Sequence, residues 1–347
     1  MTTNKRTAVV ILNWNGADML KAFLPQVIEA CGEEGEVIVA DNGSTDHSRK
    51  MMAEVFPHIK LILLPENYGF AEGYNRALAE VEAEFFVLLN SDVEPAQEWL
   101  KPLLAYMDKH DEAAACCPKL LSYRERDRFE YAGAAGGYID RLGYPFCRGR
   151  IFGDVEADRG QYDNTVSVFW ATGAALMIRR SDWLNAGGLD GRFFAHQEEI
   201  DLCWRLHRMG RDVVCVPDSK AWHVGGASLE QGNPRKTFLN FRNNLVMLYK
   251  NLPGGELKTV MRSRRLLDGL AWLQFVMKGD LKNAAAVRKA RKAFKAMREE
   301  LNEDRERLAA AAVTDDVSGR LPVNLLTAYH LKRKKTFAAL IANLKKN

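Results

Sequence analysis

The 347 residues are 47% hydrophobic and 27% charged, the make-up of an ordinary globular protein long enough for one large core and a smaller appendage. No run of 18 apolar residues occurs, and the nearest candidate, 266–277, is short and carries Asp268, so the sequence predicts no membrane-spanning helix. The net charge of +4 is uneven: residues 251–347 hold 21 Lys/Arg against 10 Asp/Glu, whereas residues 1–250 hold 28 against 35, an acidic body with a basic tail.

Residues 1–7 are polar and lead straight into an apolar run, without the hydrophobic stretch of a signal peptide. Short β-rich runs at 8–12, 36–40, 61–64 and 85–89 alternate with helical stretches at 17–30, 45–56 and 71–80. This beat predicts an α/β fold, a parallel sheet covered by helices on both faces, because strands buried on both sides read as unbroken hydrophobic runs. Cys31, Cys116, Cys117, Cys147, Cys203 and Cys215 lack the paired spacing of a zinc site or a disulfide framework, and read as reduced cysteines of a cytosolic protein.

Ligands of open parallel sheets bind beyond the carboxyl ends of the strands. Those ends carry Asn13-Trp14-Asn15, Asp41-Asn42-Gly43-Ser44, Asn67-Tyr68-Gly69-Phe70 and Asn90-Ser91-Asp92. Any one of them reads equally well as turn chemistry, and Ser44 as a cap for the second helix. Four in succession at one edge argue for a binding cleft. No G-x-G-x-x-G follows the first strand and no P-loop occurs, which argues against a dinucleotide-binding enzyme and a P-loop nucleotidase. Asp92 follows the run 85–89, where a carboxylate faces the crevice and suits Mg²⁺ or Mn²⁺ shared with a substrate diphosphate.

Residues 113–168 read as irregular and rich in Gly, Arg and Tyr, and Arg148 and Arg150 there suggest a mobile loop over the cleft. Strands follow at 173–178 and 213–216, around a helix at 197–209. Glu198, Glu199 and Asp201 crowd the start of that helix. Helix-dipole stabilisation and an Asp201–Arg205 pair account for one or two of the three. A general base for a sugar hydroxyl, walled by Phe193, Phe194 and Trp204, accounts for the rest. His223 gains interest as a second ligand for a cation that has one good carboxylate. Beyond Pro253 three amphipathic stripes recur: Leu266, Leu270, Leu273 and Met277; Ala290, Phe294, Met297 and Leu301; Phe337, Leu340, Ile341 and Leu344. Their basic flanks predict attraction to an anionic membrane surface.

Together these segments resemble family 2 glycosyltransferases of the GT-A fold, closest to the bacterial branch that contains rhamnosyltransferases. The resemblance covers roughly residues 7–252 and rests on Val9 to Gly16, Asp41 to Asp46, Asn67 to Phe70 with Gly73 and Asn75, Asn90-Ser91-Asp92, Thr172 to Ala175, and Glu198 to Leu202 with Arg205. His223 and Ser228 fit a later segment of that pattern. The resemblance implies a catalytic domain over 1–252, with a nucleotide-sugar half to about residue 112 and an acceptor half from 113, and a helical extension over 253–347. It implies that Asn13, Asn15, Asp41, Asn67, Gly69, Asn75, Asn90 and Asp92 hold the nucleotide sugar, with Asp41 on a pyrimidine base. It implies a divalent cation, Mg²⁺ or Mn²⁺, on Asp92 and His223, and a base in the cluster of Glu199, Glu198 and Asp201. Two departures stand out: Asn90 replaces the first acid of the family's Asp-x-Asp, and Glu198-Glu199 replaces its Glu-Asp, leaving the base open among the three.

The expected reaction is inverting transfer of a sugar from a dTDP- or UDP-sugar, with dTDP-rhamnose favoured by 13–16 and 138–150, to an acceptor hydroxyl. The acceptor expected from the resemblance is a lipid-linked saccharide in cell-surface polysaccharide assembly, and the expected place is the cytoplasmic face of the membrane. A nucleotidyltransferase would need a basic, Gly-rich loop after the first strand, which 13–16 lacks. A noncatalytic sugar- or nucleic-acid-binding protein is the third reading. The tail lacks the interleaved aromatics of single-strand binders, so no nucleic-acid partner is expected.

Overall fold

The computed structural model describes residues 5–225, 232–342 and 344. The first half follows the predicted alternation: β1 Thr7–Asn13, α1 Ala17–Cys31, β2 Gly35–Asn42, α2 Ser48–Val55, β3 Lys60–Leu64, α3 Gly69–Ala79 and β4 Phe85–Leu89. Next come β5 Val93–Pro95, α4 Leu100–Met107, β6 Ala113–Ser122, β7 Gly137–Asp140, β8 Pro145–Cys147, β9 Arg150–Ile151, β10 Asp154–Val155 and β11 Val166–Ser167. The rest is β12 Ala175–Arg179, α5 Arg180–Ala186, α6 Glu198–Arg208, β13 Asp212–His223, α7 Pro234–Asn251, α8 Gly254–Met277, α9 Leu281–Ala310, β14 Arg320–Leu321 and α10 Phe337–Ile341.

The main sheet runs β11-β13-β6-β12-β4-β1-β2-β3, with β5 set against β13. β1 lies parallel to both β2 and β4, whereas β12 runs antiparallel between β4 and β6. Successive residues of a strand point to opposite faces, so each apolar run supplies two cores. Val9, Ile11, Val87 and Leu89 pack with α1, α2 and α4, while Ala8, Val10, Phe86 and Leu88 pack with α3, α6 and α7. Tyr74 of α3 is fully buried, and its hydroxyl reaches the carbonyls of Val10 at 3.2 Å and Leu89 at 3.1 Å. It thereby pins the carboxyl ends of β1 and β4 together.

Three features differ from the sequence reading. β6 is a long, buried strand, although Ala113 to Pro118 lacks β-branched residues and contains a proline. Pro118 is tolerated because it sits where the register against β13 shifts, between Val216 and Lys220. Arg148 and Arg150 do not form a lid: both are buried, Arg148 donating to the carbonyls of Tyr162 and Asn164, and Arg150 to that of Tyr131. Arg150 lies in β9 and Arg148 in the turn before it, within a second sheet, β10-β9-β8-β7-β14, whose last strand comes from the distant tail and pairs with β7. Asp140 ties that return, its carboxylate accepting from the amides of Leu142, Tyr144 and Leu325.

The tail is helical, as expected, but its stripes have different fates. Ala290, Phe294 and Leu301 are buried, and Phe337 and Leu340 pack into the second sheet beside Tyr138, Phe146 and Tyr162. Leu266, Leu270, Leu273 and Met277 stay exposed. Asp268, the odd acid in the apolar stretch, is buried between α8 and α9, paired with Arg264 at 3.3 Å and with Arg291. Among the described residues no helix is long and apolar enough to cross a membrane.

Removing a buried aromatic leaves a cavity, whereas trimming an exposed leucine does not. Phe337→Ala is therefore expected to lower the unfolding free energy by about 3–5 kcal/mol, against less than about 0.5 kcal/mol for Leu270→Ala, in urea titrations of the full chain.

Candidate active site

The strand ends converge as the topology requires. Asp41 is 1% exposed at the end of β2, where its Oδ1 accepts from Arg49 Nε at 2.6 Å and the Ser44 amide at 3.1 Å. Asn13 Nδ2 stands 3.3 Å from Asp41 Oδ2 and 3.2 Å from Ser44 Oγ. Ser44 does not cap α2, which begins after His47; its hydroxyl instead accepts from the Asn15 amide at 2.9 Å. Asn15 Oδ1 in turn accepts from the amides of Thr45 at 2.7 Å and Asp46 at 3.2 Å. The first two strand ends are thus one cross-linked platform. Asn67 closes the next turn, its Oδ1 accepting from Gly69 N at 2.8 Å and Asn42 Nδ2 at 3.2 Å. Gly69 has φ +78°, and a Cβ there would meet the Phe194 ring at 2.5 Å, so glycine is what lets the later loop approach α3. Asn75 turns to that loop too: its amide spans the Leu189 backbone, donating at 2.7 Å and accepting at 2.9 Å.

Asp92 and His223 meet at the end of the main sheet. His223 Nε2 lies 3.1 Å from Asp92 Oδ1 and 3.3 Å from Asn90 Nδ2, while the Gly225 amide donates to Asp92 Oδ2 at 3.2 Å. On the other side of the ring, Nδ1 lies 3.3 Å from Glu130 Oε1. Burial raises the Asp92 carboxyl's pKa and the His223 bond and charge lower it, the net being downward. For His223, burial opposes the charge, but Asp92 and Glu130 together push its pKa up to about 10. An imidazolium between two carboxylates must give up its Nε2 proton before that nitrogen can bind a metal. Among the described residues no group of three or more His, Cys, Asp or Glu could hold an ion. Asp92 and His223 nonetheless fit a hard divalent cation that takes its other ligands from phosphate oxygens and water, since their 3.1 Å separation suits neighbouring ligands at about 2.1 Å each.

The three acids at the start of α6 have different environments. Asp201 is fully buried and saturated: Oδ2 accepts from Arg205 Nε at 2.9 Å and Lys250 Nζ at 3.0 Å, and Oδ1 from Asn251 Nδ2 at 2.8 Å. Lys250 also reaches Asp190 at 2.6 Å, and Arg205 the Gly188 carbonyl at 2.8 Å. Asp201 is the hub of an ion network that fastens α6 to α7. Glu198 and Glu199 instead each keep a shielded Oε2 with no hydrogen-bond partner among the described residues. Burial lifts Glu199's pKa to about 7, and burial together with the Glu199 charge lifts Glu198 well above the carboxylate range. Two adjacent acids whose pKa values stand near or above neutrality make a proton-handling pair.

The loop before them is strained. Phe194, His196 and Gln197 have φ of 64°, 72° and 72° without being glycine. α7 holds that shape: Asn243 Nδ2 lies within 2.7–3.0 Å of the carbonyls of Phe193, Ala195 and His196, and Asn244 Nδ2 donates to Gln197 Oε1 at 3.0 Å. Arg242 donates to the carbonyls of Arg192 and Phe193 at 2.8 and 2.9 Å. The sequence reading missed these three, as it missed Glu130. Their signal was Arg242-Asn243-Asn244, a polar run preceding the buried stretch 245–249. Residues 172–174 link the end of β4 to α6: Asn90 N donates to Ala174 O at 3.0 Å, and a carbon added at Gly173 would stand 3.7 Å from Glu199 Cβ. Ser228 lies outside the described residues.

The acids can be told apart by stability. Asp201→Ala leaves Arg205 buried without a carboxylate and Lys250 with Asp190 alone, and is expected to cost about 3–5 kcal/mol. Glu199 is the opposite case. An acid whose folded pKa exceeds its unfolded value costs stability as pH rises above that unfolded value. Glu199→Gln should therefore leave the thermal midpoint unchanged or higher at pH 8, as read by calorimetry of both variants.

Comparison with known proteins places this geometry in a family. Residues 8–183 match the model of Glycosyl transferase family 2. Over 233 residues the chain is 26% identical to N-acetylglucosaminyl-diphospho-decaprenol L-rhamnosyltransferase of Mycobacterium tuberculosis, covering 62% of this chain and 75% of that protein. It is 27% identical over 198 residues to an O-antigen biosynthesis protein of Myxococcus xanthus, covering 56% of this chain and 15% of the longer relative. A mannosyltransferase from Pyrobaculum calidifontis in complex with GDP-Man and Mn²⁺ superposes with a TM-score of 0.51 at 18% identity, over 89% of this chain and 86% of that one. S. aureus TarS 1-349 in complex with UDP-GlcNAc gives 0.52 at 16%, over 88% and 89%. At those identities the likeness is one of fold, the GT-A fold. With the family pattern matched over half its length, and its strand-end Asn and Asp residues gathered at one edge, the chain belongs to glycosyl transferase family 2, in the rhamnosyltransferase-like branch.

Proposed function

We propose that the protein transfers a sugar, with inversion, from a pyrimidine nucleoside diphosphate sugar to a hydroxyl of a lipid-linked saccharide, with Glu199 as the base. The observation that carries the reading is the Glu199 carboxylate. It is shielded, lacks a partner at Oε2 among the described residues, has its pKa raised to about 7, and lies against Gly173, whose neighbour Ala174 accepts from the Asn90 amide. A base for a sugar hydroxyl works best with a pKa near the working pH. Glu198 is the group that can keep a proton while Glu199 gives one up and takes one, because the two charges oppose each other. Asp201, saturated by Arg205, Lys250 and Asn251, is assigned to holding α6 and not to proton transfer.

On the donor side, Asp41 Oδ2 has among the described residues only the long 3.3 Å bond from Asn13, which suits it to accept from the N3–H of uracil or thymine. The similarity to a rhamnosyltransferase favours dTDP-rhamnose, with a UDP-sugar as the alternative. Asp92 and His223 would hold a divalent cation, with Asn90 alongside. When bound, it would offset the charge that builds on the departing diphosphate. Glu199 accepts the acceptor's proton as the hydroxyl oxygen attacks the anomeric carbon from the side opposite the diphosphate. A single displacement of this kind inverts the centre.

The acceptor reading rests on the tail. Leu266, Leu270, Leu273, Met277 and Leu281 form an exposed apolar stripe, and Arg262 and Arg265 of α8, Lys278 in the turn after it and Lys282 of α9 are exposed as well. Such a face suits an anionic leaflet, where lipid-linked acceptors reside. The other two stripes named from the sequence are used up in packing, so the membrane proposal narrows to α8 and the start of α9.

Three measurements test these assignments. With dTDP-rhamnose and UDP-sugars as donors, EDTA is expected to abolish nucleotide release, and Asp92→Ala to lower kcat by about 100-fold or more. Full turnover in EDTA would remove the cation from the mechanism. Turnover should rise with pH to a plateau above about 7, as Glu199 loses its proton, and Glu199→Gln should bind donor yet turn over at least about 100-fold more slowly. For the membrane, a Leu270→Ser/Leu273→Ser double variant should lose co-sedimentation with anionic vesicles at low salt while keeping its fold; equal sedimentation of variant and wild type would sink the α8 surface.

A further inference from the structure

Glu130 is a buried acid that the proposed reaction does not use. It sits just after β6, its amide donating to Leu120 O at 3.0 Å. Only 5% of the residue is exposed. Its Oε2 accepts from the Ala132 amide, and its Oε1 lies 3.3 Å from His223 Nδ1, an ion-pair contact without hydrogen-bond alignment. The same ring presents Nε2 to Asp92 Oδ1 at 3.1 Å. Asp92, His223 and Glu130 therefore form a line of three buried side chains, acid–imidazole–acid, drawn from three separate segments of the chain.

We propose that Glu130 is a positioning residue for the cation site: it fixes the His223 ring so that Nε2, and not Nδ1, faces Asp92. The inference rests on the reading that Asp92 and His223 hold a divalent cation. An imidazole can turn about the bond that joins it to Cβ, and the partner of one nitrogen decides where the other points. A carboxylate behind a ligating histidine orients the ring and makes the ligating nitrogen more basic. With only two protein ligands, one of them an imidazole, the site depends on that orientation more than a cluster of acids would.

The surroundings are built for this arrangement. Gly225 has φ +69°, and a Cβ on it would come within 3.1 Å of Glu130 Oε1. The Gly225 amide meanwhile donates to Asp92 Oδ2 at 3.2 Å. One backbone unit thus touches both acids, and any side chain there would press on the one behind the ring. The β13 register fixes the ring from below: His223 pairs with Ser122 on β6 and Val93 on β5, which brings it between the segments that carry Glu130 and Asp92.

The experiment measures Mn²⁺ binding to the full chain by electron paramagnetic resonance, with UDP and separately with dTDP present, for wild type, Glu130→Gln, Glu130→Ala and His223→Ala. Glu130→Ala should weaken Mn²⁺ binding by about 10- to 100-fold, and Glu130→Gln, which keeps the shape and an acceptor oxygen, by less. Nucleotide binding in EDTA and the unfolding midpoint of Glu130→Gln should stay at wild-type values, which a merely structural role would not give. Unchanged Mn²⁺ affinity in both Glu130 variants would overturn the inference while leaving the cation reading intact. Wild type that takes up no Mn²⁺ with either nucleotide would instead remove the cation reading, and this inference with it. Should Glu130→Ala fail to fold, the Glu130→Gln comparison decides alone.

Discussion

The structure depends on burial of the central strands on both faces. Val9 and Ile11 serve one core, Ala8 and Val10 the other, and β4 repeats the pattern beside them. Unpaired polar groups are costly within a sheet filled this way. Chemistry is left to the carboxyl edge, where Asn13, Asp41, Asn67 and Asp92 emerge from β1 to β4. Tyr74 holds that edge in register from beneath, its hydroxyl shared between β1 and β4.

The acids of the site are sorted by what surrounds them and not by their spacing. Asp201, Glu198 and Glu199 lie on one helical turn, yet the first is surrounded by Arg205, Lys250 and Asn251, and the Oε2 atoms of the others have no hydrogen-bond partner among the described residues. A buried carboxylate with cations stays charged, and one without them holds its proton to a higher pH. The strained loop before α6 is the means of this separation. Asn243 and Arg242 bind the carbonyls of residues 192–196, so the backbone of that loop is satisfied by α7 and the acids are not needed for it.

The basic tail does two kinds of work. α9 and α10 are structural: Phe294 and Leu301 face α7, Phe337 completes the packing of the second sheet, and β14 adds its edge strand. α8 keeps an apolar face in the open, and Asp268, which looked like an interruption of that face, lies on its buried side with Arg264 and Arg291. Charge on this tail therefore divides between interhelical pairs and an exposed basic surface.

Local pattern was enough for the first four strands, their helices and the polar residues just past them, because period-2 burial and loop chemistry are properties of consecutive residues. The acids of 198–201 and His223 stood out from the residues themselves, and the family pattern attached roles to them. Other features depended on residues far apart in the chain. Glu130 and His223 are 93 positions apart and meet only because β6 and β13 are neighbours. The same holds for Asp201 with Lys250, for Asn243 with the 193–196 carbonyls, and for the return of Arg320 and Leu321 to β7. β6 itself hid behind small residues and a proline that only its partners make acceptable. The sequence by itself determined which edge of the sheet carries polar groups, since alternation along a strand is local. Which of those groups are saturated and which stay open was decided by the tertiary structure, because hydrogen-bond and charge partners are set by packing between distant segments.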